Sequence, residues 1–111
     1  MDDRLPTELW VKAHLRRCHA EAIPVAVLHK GDANGGTVLL KLLQREAGCR
    51  LLSQIRDGEG RLGWLSALGE SPVAEAEADA YIERAVKRDP DLWVIEVDSR
   101  DGRHPFEGKM L

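Results

Sequence analysis

Apolar residues recur at helical spacing from the start of this chain: Trp10, Val11, His14, Leu15, Cys18 and Ala22 share one stripe, while Lys12, Arg16 and His19 point away. The pattern predicts a helix from Thr7 to about Ala22, with Thr7 after Pro6 as its N-cap. Pro24 ends the helical stretch, and Val25-Ala26-Val27-Leu28-His29-Lys30 reads as a strand rich in β-branched and apolar residues. The loop Gly31-Asp32-Ala33-Asn34-Gly35-Gly36 follows. Its Asn-Gly pair supplies the positive φ angles of a tight hairpin, so Thr37 to Leu43 is expected to return as a paired second strand. Two more such steps come next: Cys49 to about Arg56, a turn at Asp57-Gly58-Glu59-Gly60, and Leu62 to Leu68.

Ser71-Pro72 then opens a second helix, Ser as N-cap and Pro at the first helical position, with Ala74, Ala78, Tyr81, Ile82 and Ala85 as its buried stripe. Glu75, Glu77 and Asp79 lie early in that helix and Arg84, Lys87 and Arg88 late, which complements the helix dipole. Pro90 has no amide proton and pushes Asp89 out of the helical region. A strong strand, Leu92-Trp93-Val94-Ile95-Glu96-Val97-Asp98, begins almost at once.

This order of elements predicts a single α+β domain over residues 1–111: a four-stranded antiparallel meander plus a C-terminal strand, with two helices packed on the sheet. Setting the last strand beside the first gives the spatial order 5-1-2-3-4. Strand two carries apolar residues on both faces, Val38, Leu40 and Leu42 on one and Leu39 and Leu43 on the other, with Lys41 its one polar residue. Either the helices cover opposite faces, or both share one face and a second copy of the protein covers the other. The second arrangement is favoured here, making the chain a homodimer with Leu39, Lys41 and Leu43 on the shared face.

Composition narrows the class. With 111 residues, 43% hydrophobic and 32% charged, the chain is long enough for one core and too short for two. Its apolar runs are too short to span a bilayer, and the acidic start Met1-Asp2-Asp3-Arg4 is unlike a signal peptide, so the cytoplasm is expected. Cys18 and Cys49 lie far apart and are expected as free thiols. A net charge of -3 argues against nucleic acid and anionic lipid as partners, although Lys12, Arg16 and Arg17, with His19 and Arg4, make a local basic patch.

Candidate chemistry is sparse. His14 and Cys18 sit four apart, a spacing at which two side chains share a metal, and Cys49 or His29 would supply a third ligand; ordinary core packing explains the same stripe. Glu96, Asp98, Asp101 and His104 cluster near the last strand, and Glu96 and Asp98 point to one face, so paired carboxylates there suit a divalent ion or proton transfer. The glycine loop has a phosphate-loop composition but joins strands instead of opening a helix. Trp10, Trp64 and Trp93 read as core anchors. No cofactor is expected.

Several segments together resemble a known family. Leu9-Trp10-Val11-Lys12-Ala13 with Leu15-Arg16-Arg17-Cys18, the Gly31-Asp32 loop with Gly36 before an apolar strand, and Asp89-Pro90-Asp91-Leu92-Trp93-Val94-Ile95-Glu96 followed by Gly102-Arg103-His104 resemble the bacterial domain-of-unknown-function family 1491. The resemblance implies a small, free-standing bacterial protein and brings no catalytic residues with it. The leading expectation is a protein without catalytic activity that associates with itself or an unidentified protein. A metal-dependent hydrolase built on Glu96, Asp98 and His104, and RNA binding through the basic face of the first helix, are the alternatives.

Overall fold

The computed structural model describes residues 5–111. Its elements in chain order are α1 (Thr7–Ala20), β1 (Val25–His29), β2 (Val38–Leu43), a 3-10 turn (Arg45–Ala47), β3 (Cys49–Arg56), β4 (Leu62–Ser66), α2 (Glu75–Arg88), β5 (Trp93–Asp98) and a short β6 (Lys109–Met110). The class is α+β, as expected, but the sheet is six-stranded and mixed, in the order β1-β5-β2-β3-β4-β6. Only β2, β3 and β4 form the antiparallel meander. β5 is antiparallel to β1 and parallel to β2, and β6 is parallel to β4.

The expected hairpin between β1 and β2 is therefore absent, because β5 lies between them. Hydrophobicity explains the insertion. Trp93, Val94, Ile95 and Val97 are all buried, and a strand apolar on both faces belongs in the sheet interior. β1, whose middle residues are exposed, takes the edge. The glycine loop bridges β1 to β2 across the end of β5: Asp32 N–H donates to Asp91 O (2.9 Å) and the Trp93 indole donates to Asp32 O (2.8 Å). Gly31 and Gly36 press on the Asp91 carbonyl so closely that a methyl group at either would collide with it.

The two helices cover opposite faces. Against α1, Trp10, Val11 and Cys18 pack with Leu40, Leu42, Trp64, Ile95 and Phe106 among others; against α2, Ala78 and Ala85 pack with Leu39, Cys49, Leu51 and Val94. The second apolar face expected at Leu39, Lys41 and Leu43 exists, and α2 of the same chain covers it. Fully buried Leu40 and Leu42 each contribute about 2 kcal/mol by leaving water.

Helix starts differ from the sequence reading in instructive ways. Thr7 is the first helical residue and not the N-cap; its hydroxyl donates to Gly36 O (2.8 Å), while Thr7 and Glu8 N–H donate to Asn34 O and Ala33 O. The loop thus satisfies helix donors that a capping side chain would otherwise meet. α2 begins at Glu75, later than Ser71-Pro72 suggested. Val73 and Cys49 exchange two backbone hydrogen bonds, of 2.7 and 2.8 Å, which hold the chain extended through that point.

Candidate functional site

The acidic candidates separate once side chains alternate along β5. Glu96 and Asp98 point toward the α2 side, where each meets a cation. Lys41 lies beside Glu96 in the β2–β5 register, only 3% exposed, with its ammonium 3.2 Å from Glu96, 2.7 Å from Glu75 and 2.8 Å from Asp79. Burial alone lowers the pKa of this lysine, but hydrogen bonds to Asp79, Glu75 and Glu96 outweigh burial and hold it above its ordinary value. Asp98 pairs with Arg45 at 2.9 Å. His104 belongs to the opposite face, edge-on to Trp64 at 5.7 Å and beside Phe106. Burial, with a lesser contribution from Arg50, pushes its pKa down, and its Nδ1 accepts the Phe106 N–H. Asp101 accepts the Arg103 N–H within the turn that Ser99-Arg100-Asp101-Gly102 forms. Glu96, Asp98 and His104 do not converge.

The metal candidates separate in the same way. His14 and Cys18 pack on the α1 side, whereas Cys49 belongs to the α2 side. His14 Nδ1 donates to Trp10 O (2.7 Å), and the ring stacks on Phe106. His29 Nδ1 donates to Leu92 O (2.7 Å). Both thiols are buried and unpaired, and burial raises their pKa. Among the described residues no three His, Cys, Asp or Glu side chains are grouped to hold a metal ion, and no helix is long and apolar enough to cross a membrane.

Of the basic patch, Lys12 pairs with Glu8 at 3.4 Å, and Arg16 and Arg17 are exposed on α1. Arg4, expected near them, lies outside the described residues.

Two surfaces were not singled out by sequence reasoning. One is the outer edge of β1, where Val27 and Leu28 are 40% and 47% exposed. The register against β5 slips between Val27 and His29, leaving Leu28 without a partner residue. The other is a cleft of about 760 Å³ between the start of α1, the loop near Gly35, the β3–β4 hairpin and Glu107-Gly108. Trp10, Gln54, Arg56 and Leu62 line it. The absence of charge along β1 was a readable signal for the first; the second draws on four distant segments and left none.

The model of the family described as "Protein of unknown function (DUF1491)" matches residues 5–107. Among solved structures, a crystal structure of a DUF1491 family protein from Caulobacter crescentus CB15 is 39% identical, with a TM-score of 0.84 over 97% of this chain and 100% of that one. An NMR structure of a DUF1491 family protein from the same organism is also 39% identical, with a TM-score of 0.81 over 96% of each chain. The solution structure of protein Atu0922 from A. tumefaciens is 26% identical, with a TM-score of 0.69 over 86% of each. No curated protein matches. With the family model spanning nearly all of its length and a solved relative sharing its fold from end to end, this chain belongs to the DUF1491 family.

Proposed function

We propose that this protein acts without chemistry of its own, by associating with a second copy of itself through the free edge of β1. One observation carries the reading: β1 ends the sheet, carries no charged residue between Val25 and His29, and exposes Val27 and Leu28. Edge strands present unpaired N–H and C=O groups and are usually guarded by charge, proline or a covering element. Here Pro24 precedes the strand, and the slipped register at Leu28 turns an apolar side chain outward instead of a lysine.

An edge of this kind recognises another extended strand through its backbone. A second β1 meets it antiparallel about a two-fold axis, placing the same residues on both sides and closing the assembly at two copies. Five residues a side bury less than the roughly 1,200 Å² at which stable interfaces begin, so the dimer is weak and dissociates on dilution. The non-catalytic part of the reading is supported by the engagement of Glu96 and Asp98 with Lys41 and Arg45, and by the position of His104 across the sheet.

Light scattering after size exclusion, across a concentration series, tests this. The average mass is expected to rise toward two copies with concentration, and Val27→Lys, which places charge at the exposed edge, should hold it at one. A wild-type mass of one copy at every concentration would end the proposal.

A further inference from the structure

The cleft beside α1 contains a feature that the fold leaves unexplained. Trp10 lines it and is itself 8% exposed, yet its buried indole N–H has no acceptor among the described residues. The other two tryptophans are satisfied, Trp64 by Glu107 O (3.0 Å) and Trp93 by Asp32 O (2.8 Å). A buried donor without a partner carries a desolvation penalty, which an arriving acceptor relieves.

Neighbouring groups point to the same kind of arrival. Gln54 Oε1 accepts the Val38 N–H (3.2 Å), which leaves the NH2 end of the amide to donate. Arg56 donates to Gly60 O, and none of the ion pairs among the described residues involves it. Arg61 also borders the cleft, with its charge met by Asp57 and Glu59. Arg56 and Arg61 face one acidic residue in the lining, Glu107. Leu5, Trp10 and Leu62 supply the apolar part of the wall, beside the polar Thr7, Asn34 and Thr37. Small-molecule sites commonly enclose about 300–1,000 Å³ and combine an apolar body with a few convergent polar groups, which this cleft does.

We propose that the cleft binds a small organic carboxylate, its apolar body against Trp10 and Leu62 and its anionic oxygens accepting from the Trp10 indole, Gln54 and Arg56. Inorganic phosphate would satisfy the donors and leave the apolar wall unused. A neutral apolar molecule would cover the wall and leave the buried N–H unmet.

The test follows the three indole N–H signals by NMR while 2-naphthoate is titrated into the full chain, with Trp10→Phe assigning the Trp10 signal. That signal is expected to move saturably while the Trp93 signal stays in place. Naphthalene-2-methanol, the uncharged counterpart, should bind at least about tenfold more weakly, as should 2-naphthoate to Arg56→Gln, since one charge-assisted hydrogen bond amounts to that factor. Arg56 is exposed, so this variant keeps the fold. The proposal is overturned if the Trp10 signal does not move at millimolar naphthoate, if the alcohol or the Arg56→Gln variant binds as tightly, or if inorganic phosphate alone moves the signal equally well.

Discussion

Lys41 and Glu96 stand side by side on parallel neighbouring strands, in register, with 3.2 Å between ammonium and carboxylate. Glu75 and Asp79, reaching down from α2, close on the same ammonium. Lys41, the one polar residue of β2, and Glu96 of β5 thus share a structural role: they let a charge lie within the sheet beneath α2.

Lys41→Met removes the cation and leaves three carboxylates together. Glu75 and Asp79 are more than half exposed, so water meets much of their charge, and the expected loss is about 1–3 kcal/mol, below that of a fully buried pair. In the wild type a lysine whose pKa is raised on folding stabilises fully below its ordinary 10.5, and that contribution is lost as pH climbs past this value toward the raised one. Urea unfolding of both proteins at neutral and alkaline pH checks this.

His104 gives the opposite dependence. Its pKa is lowered on folding, so the unfolded chain takes up the proton first as pH falls below about 6.5. Stability then declines, because protonation charges a half-buried ring and turns its Nδ1 from acceptor to donor against the Phe106 N–H. His104→Gln should flatten that part of the profile relative to wild type. Parallel profiles for the two proteins would contradict it.

The glycine loop makes a sharper distinction than a hairpin would. Gly36→Ala forces a methyl group onto the Asp91 carbonyl and is expected to destabilise by more than about 2 kcal/mol, whereas the methyl of Gly35→Ala meets only the flexible Asp32 side chain and should change stability by less than about 0.5 kcal/mol. Thermal unfolding of the two variants distinguishes them.

Cys18 and Cys49 are fully buried, with thiol pKa values raised mainly by burial. Neither should react with a disulfide reagent in the native state, and both should react once the chain is unfolded. Rapid labelling of native protein would contradict the placement.

Much of the fold was legible because local signals agreed with the tertiary outcome. The stripe of Trp10, Val11, His14 and Cys18, the Asp57-Gly60 turn and the stop at Pro90 all act within a few residues. Strand order was not legible, since Asn34-Gly35 has hairpin chemistry while β5, arriving more than fifty residues later, inserts between the strands it joins. The deciding fact was in the sequence: Trp93 to Val97 is too apolar for an edge. The start of α2 was misplaced for a similar reason, the Cys49–Val73 bridge being a long-range constraint that overrides a good capping pair. Glu96, Asp98 and His104 lay close in sequence, but strand alternation and the turn after β5 carried His104 to the other face.

Backbone amide shifts measured by NMR over a concentration series locate a contact at the β1 edge residue by residue. Signals of Val25 to His29 are expected to move as concentration rises while those of β4 and β6, at the far side of the sheet, stay fixed. Shifts centred on β6, on α1 or nowhere would contradict it.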